Sequence, residues 1–116
     1  MLRQFIYKQD IDILLLQEVT HPGLEQTLGF KGHYNIGSEQ RGTAIIRREN
    51  IEIHNILKIP SGRAIAAEFQ GTRIVNIYAP SWAEKHQERE RFFNQDITHL
   101  LRTTTGNLII AGDFNP

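Results

Sequence analysis

The chain is 116 residues long, 40% hydrophobic and 22% charged, the composition of one globular domain or part of one. Lysine plus arginine equals aspartate plus glutamate at 13 each, so no bulk field attracts a polyanion, and any such binding must come from a local site. Cysteine is absent, which excludes disulfides and thiolate catalysis; no apolar run approaches the roughly 20 residues of a membrane span, and the N-terminus lacks the apolar core of a secretory leader.

In chain order, Leu2, Phe5 and Ile6 fall on one helical face and predict the end of an amphipathic helix over residues 2–9. "DIDILLLQE" follows. Its unbroken Ile13-Leu14-Leu15-Leu16 run predicts a strand packed on both faces, as interior strands are. Residues 20–42 are rich in Gly, His, Asn and Ser and read as a loop, broken at His21-Pro22-Gly23, with one helical turn over Leu24 to Leu28. Four strands are predicted next, over 43–48, 51–59, 62–70 and 72–80, the last two forming an antiparallel hairpin across Gln70-Gly71. Residues 83–104 predict a helix with an apolar stripe of Phe93, Ile97, Leu100 and Leu101. Ser81 is its N-cap, Glu84 the capping-box partner and Gly106 its end. "NLIIAG" makes a last strand with Asp113 at its tip. The order α-β-loop-β-β-β-β-α-β is an α/β or α+β mixture with a mostly antiparallel middle.

Three of these apolar strands end in polar groups: Gln17-Glu18, then Asn76, Tyr78 and Pro80, then Asp113 and Asn115. Strand ends are where sheet-based sites are built, because the sheet is rigid and the loops are free to vary. Glu18 suits a hard-cation ligand, and equally a solvated carboxylate just past a strand. Asp113 and Asn115 face the same side if the segment is extended, one as acceptor or base and the other as amide donor to a phosphate oxygen; a plain Asx-turn explains the same two residues. The Tyr78 phenol suits a hydrogen bond to a phosphate oxygen, and also a rim aromatic over the core. The histidines (21, 33, 54, 86 and 99) form no i, i+4 pair, which argues against zinc. Neither a P-loop nor a G-x-S-x-G or G-x-G-x-x-G motif occurs. Arg41, Arg47, Arg48, Arg63 and Arg73 are scattered over strands, and a solvated sheet face accounts for most of them.

Together the pieces are more specific than any one of them. "DIDILLLQEV", "RGTAIIRR", "RIVNIYAPS" and "LIIAGDFNP" occur in that order, and they resemble successive motifs of the endonuclease/exonuclease/phosphatase superfamily. "AEFQGTRIVNIYAPS" is most similar to the apurinic-like endonucleases of non-long-terminal-repeat retrotransposons. The resemblance implies a four-layer α/β/β/α sandwich and phosphodiester hydrolysis with Mg²⁺, or Mn²⁺ as the alternative ion. It implies that Glu18 ligates the metal, Tyr78 contacts the scissile phosphate, Asp113 orients or deprotonates the attacking water, and Asn115 hydrogen-bonds the phosphate.

Family members also begin with a strand carrying an Asn that supports the metal site, and they carry a second half with a further acid and a Ser-Asp-His-type motif. This chain starts in the following helix and stops at Pro116, so it reads as about half of a domain. The expectation is a partial domain of a retrotransposon polyprotein, whose parent nicks DNA to prime reverse transcription, with this piece inactive or nearly so. DNA is the expected partner and no membrane is involved. The expected compartment is the cell interior, the nucleus for a eukaryotic retrotransposon. Two alternatives stay open. One is a phosphatase or phosphodiesterase of the same superfamily, since fold does not fix substrate; the other is a non-catalytic binding domain.

Overall fold

The computed structural model describes residues 10–23, 25, 29–39 and 41–115. The apolar runs become strands, seven among the described residues: β1 (Ile13–Val19), β2 (Phe30–Ile36), β3 (Gly42–Arg48), β4 (His54–Lys58), β5 (Ala64–Phe69), β6 (Thr72–Tyr78) and β7 (Asn107–Asp113). They form a three-stranded sheet in the order β1-β3-β2 and a four-stranded sheet in the order β4-β5-β6-β7. All pairs are antiparallel except β6–β7. Parallel neighbours need a long crossover, and here it is helical: α1 (Trp82–Arg91), a π-helical turn (Phe92–Ile97) and α2 (Thr98–Arg102). The mixed, mostly antiparallel architecture is the one the element order predicts.

Side-chain alternation stacks the layers. Ile45, Ile65 and Ala67 meet between the two sheets, with Ile13 and Leu15 packed against them. Ala64, Ala66, Val75, Ile77 and Ala79 form the other face of the four-stranded sheet, beneath Phe92, Ile97 and Leu100 of the crossover. Small alanines in β5 let the helix approach, and large side chains above fill the space. The β5–β6 hairpin turns at Gln70 (φ 49°) and Gly71 (φ 77°), two positive-φ residues in a row, which matches the right-handed twist of the strands.

Several expectations need correction. Residues 30–36 are a strand, not a loop. Phe30, Tyr34 and Ile36 alternate onto one packed face, while Gly32, His33 and Asn35 give the segment the composition of a loop. β1 does pack on both faces, Leu14 and Leu16 on one and Ile13 and Leu15 on the other. Yet among the described residues it is an edge strand, and those four side chains are only half-buried. β4 is shorter than expected, with a bulge between His54 and Leu57 and Asn55 at φ 52°.

Ser81 caps the helix as predicted, its hydroxyl accepting the Glu84 N–H at 3.1 Å. The apolar stripe differs. Phe92, not Phe93, is fully buried, and Leu101 is exposed. The π-helical turn widens the repeat, so Phe92 and Ile97, five apart, share a face that a 3.6-residue period assigns otherwise. The helix ends at Arg102, where the Thr103 and Thr104 hydroxyls cap the Leu100 carbonyl; Gly106 instead makes the turn into β7. The predicted helix over 2–9 and the turn over Leu24 to Leu28 lie outside the described residues, Glu25 apart. No helix among the described residues is long and apolar enough to cross a membrane.

Candidate active site

Three strand tips converge. At the end of β1 the pairing with β3 shifts between Gln17 and Val19, and Glu18 occupies the bulge with φ 56°. A non-glycine residue in the left-handed region is uncommon, and bulges re-aim side chains beside functional sites. The Glu18 carboxylate is turned to the tip of β6, where it accepts the Tyr78 hydroxyl at 3.1 Å. That bond crosses from one sheet to the other.

Tyr78 is held on several sides. Its N–H donates to the Arg63 carbonyl at 2.8 Å, and Arg63 Nη1 donates back to the Tyr78 carbonyl at 3.1 Å. The same guanidinium lies 5.0 Å from the centre of the Tyr78 ring, within cation–π range. Arg63 Nε is in turn fixed by Glu88 of α1 at 3.1 Å. A phenol so constrained presents its hydroxyl in one direction.

Asp113 stands opposite Tyr78 in the parallel register of β6 and β7. Gly112 makes the approach possible. It has φ 126°, and a Cβ there would sit 2.1 Å from the Ile77 carbonyl oxygen and 3.0 Å from Asn76 Oδ1. Extension ends at Asp113. Its Oδ1 accepts the Asn115 N–H at 2.9 Å, and Asn115 adopts φ 46°. Strand alternation therefore does not place Asn115; an Asx-turn does. Its side-chain amide reaches the Ala79 carbonyl at 3.3 Å. Arg89 Nη1 closes the arrangement by donating to the carbonyls of Pro80, Phe114 and Asn115 at 3.0, 2.7 and 2.8 Å. One guanidinium thus ties the loop after β6 to the loop after β7.

Beneath the tips lies a polar layer that takes in Gln17 and Asn76, two of the polar groups expected at the strand ends, and adds Asn35 and Thr43. Asn76 is completely buried. Its Nδ2 donates to the carbonyls of Leu16 at 2.9 Å and Ala44 at 3.0 Å, and its Oδ1 accepts from Gln17 Nε2 at 2.7 Å. Asn35 donates to the Ile59 and Ala64 carbonyls at 2.7 and 2.8 Å, and Thr43 to the Gly62 carbonyl at 3.1 Å. Each bond joins one sheet to the other sheet or its loops. Buried amides need such partners, and here those partners set how the sheets are aligned. The signal for Asn76 was available: an amide between Val75 and Ile77, in a strand whose neighbours on both sides are apolar. Arg63 and Arg89 carried no comparable signal, because their partners are backbone carbonyls and a glutamate remote in sequence.

Tyr78 and Asn115 also line a cleft of about 230 Å³, bounded by the β2–β3 connection and by α1. Glu18 and Asp113 lie outside its lining. Among the described residues, no group of three or more His, Cys, Asp and Glu side chains could hold a metal. Mg²⁺ takes one or two carboxylates and completes its octahedron with water and phosphate oxygens, so a single carboxylate such as that of Glu18 could serve it without such a group.

The two-sheet sandwich with a helix on its outer face and an acid, a phenol, an acid and an amide at its strand tips defines a class. The chain belongs to the Endonuclease/Exonuclease/phosphatase family, whose sequence profile matches residues 1–115. Solved structures share the fold. The 3'-5' exonuclease NExo from Neisseria meningitidis superposes with TM-score 0.77 at 22% identity, over 98% of this chain and 51% of that one. The 3' phosphatase NExo (D146N) from Neisseria, bound to product DNA hairpin, gives 0.79 at 23%, over 98% and 51%. An AP endonuclease from Archaeoglobus fulgidus gives 0.78 at 20%, over 99% and 51%. The chain therefore spans about half the length of these relatives. No curated protein sequence matches it significantly.

Proposed function

We propose that the chain forms part of a divalent-metal-dependent phosphodiesterase acting on DNA, of the apurinic-like endonuclease kind found in retrotransposons. The observation that carries the reading is the 3.1 Å bond from Tyr78 to Glu18, which brings a carboxylate and a phenol together across two sheets, beside Asp113 in register. Glu18 holds Mg²⁺ or Mn²⁺, and Tyr78 and Asn115 bind the scissile phosphate. Asp113 orients the attacking water and accepts its proton. A bound divalent ion would neutralise phosphate charge and assist the leaving oxygen. Donors such as the Tyr78 hydroxyl and the Asn115 amide act on the charge that grows on the phosphate. Arg63 and Arg89 hold the backbone of both residues, and the phenol turns from Glu18 to the phosphate oxygen. The DNA hairpin in one relative and the AP endonuclease activity named for another support DNA as substrate. The spelling of the β5–β6 hairpin supports the retrotransposon assignment.

On this reading the chain supplies four residues of such a reaction while spanning about half the length of its relatives, and we expect it to turn over little or no substrate by itself. Plasmid nicking with Mg²⁺ that Asp113→Ala abolishes would overturn that expectation. The metal site is tested by melting. Saturating Mg²⁺ should raise the melting temperature by about 4 °C or more, and Glu18→Gln should remove the rise. An equal rise in the variant would sink the assignment of Glu18.

A further inference from the structure

A second set of ion pairs lies beside Tyr78 and Asn115. The cleft they line is also bounded by Arg63, Lys85 and Glu39. At about 230 Å³ it is smaller than the ~300–1,000 Å³ of pockets for drug-sized ligands, and suits a sugar with one phosphate. Lys85 Nζ stands 3.2 and 3.4 Å from the two carboxylate oxygens of Glu39. Two anionic oxygens on one ammonium is the arrangement a phosphate presents. Glu39 belongs to the β2–β3 connection and its side chain is 66% exposed, while Lys85 belongs to α1, so the pair spans the cleft from the first sheet to the helix. Exposed pairs of this kind contribute little to stability and exchange readily. Lys85 also leaves helical geometry (φ −140°, ψ 42°) inside α1. Arg63, its side chain only 13% exposed, lies on the same wall paired with Glu88, whose other carboxylate oxygen is 3.8 Å from Lys85 Nζ.

We infer that the cleft is a subsite for a second phosphate of the substrate, next to the phosphate held by Tyr78 and Asn115, with Lys85 as its cationic ligand. Glu39 occupies the ammonium until the phosphate displaces it. The ligand class is a nucleotide strand carrying phosphates on both sides of a sugar, in preference to a phosphomonoester. The inference rests on the phosphodiester reading above. An ammonium is a compact point charge that holds phosphate without bidentate geometry, so Lys85→Arg should keep the function.

The test titrates thymidine 3′,5′-bisphosphate and thymidine 5′-monophosphate into the chain with Mg²⁺, following amide chemical shifts. Lys85→Ala should weaken the bisphosphate about tenfold and leave the monophosphate within about twofold. Glu39→Gln should tighten the bisphosphate about two- to fivefold by removing the competing carboxylate. Glu84→Gln makes the same charge change on the same cleft and should alter it less than about twofold, which separates release of Lys85 from general attraction. No bisphosphate binding, equal effects of Lys85→Ala on both ligands, or equal tightening by both glutamine variants overturns the subsite. If Glu18→Gln still removes the Mg²⁺ melting shift in such a case, the phosphodiester reading stands and the subsite alone falls. If that shift is also absent from the unmutated chain, both fall.

Discussion

Strand β6 shows two kinds of packing on its two sides. Toward the helix it presents Val75, Ile77 and Ala79, which meet Phe92, Ile97 and Leu100 in an apolar layer. Toward the opposite sheet it presents Asn76 and Tyr78, each bonded to a residue of β1. Apolar burial is non-directional, so the helix face tolerates any shape that fills the space. Hydrogen bonds have narrow geometry, so the sheet-to-sheet face dictates where the strand tips stand. The first face holds the strand in the protein; the second aims it.

Asn76→Leu tests that division most severely. It strands the Leu16 and Ala44 carbonyls and the Gln17 amide in a buried layer, and should cost about 4 kcal/mol in urea denaturation. The Mg²⁺-dependent rise in melting temperature should go with it. A loss under about 1 kcal/mol would show that the polar layer does not align the sheets. Leu100→Ala on the helix face should cost about 3 kcal/mol and leave the Mg²⁺ response in place. Loss of that response here would mean that the two faces are not separable.

Tyr78→Phe should cost only about 1 kcal/mol, since it deletes one bond to an exposed carboxylate. Its informative effect is on nucleotide monophosphate binding, which should weaken while the Mg²⁺ response persists. A change in the reverse pattern would assign Tyr78 to the metal and not to the phosphate.

The smallest effect concerns pH, far from the tips. Burial, followed by the charges of Arg47 and Lys58, holds the His33 imidazole below its ordinary value, with Glu25 opposing. The unfolded chain therefore binds the proton more tightly. The contribution to stability is full above the unfolded value of about 6.5 and is lost as pH falls through it toward the folded value. His33→Gln should flatten the dependence of the urea midpoint between about pH 7.5 and 5.5. An unchanged slope would place the titrating group elsewhere.

Much of this was legible in the order of residues. The β5–β6 hairpin follows from alternation on either side of Gln70-Gly71, and the helix start follows from Ser81. That Glu18, Tyr78 and Asp113 stand at strand ends also follows from the apolar runs that precede them. The rest was hidden for definite reasons. β2 carries Gly32 and Asn35, which are loop residues until carbonyls from the β4–β5 region accept the Asn35 amide. The buried helix face was misassigned because a π-helical turn changes the period that pattern counting assumes. Arg89 looks like one of several charges on a polar helix, and its three acceptors are backbone carbonyls that no side-chain pattern marks.

Local sequence therefore settled the elements, their turns and the chemistry available at the strand ends, because hydrophobic period and turn residues act over a few positions. The folded arrangement alone set Glu18 against Tyr78, sixty positions away, and locked both with Gln17, Asn76 and Arg63. Contacts at that separation depend on how two sheets are aligned across a buried layer, and that alignment is a property of all the strands together.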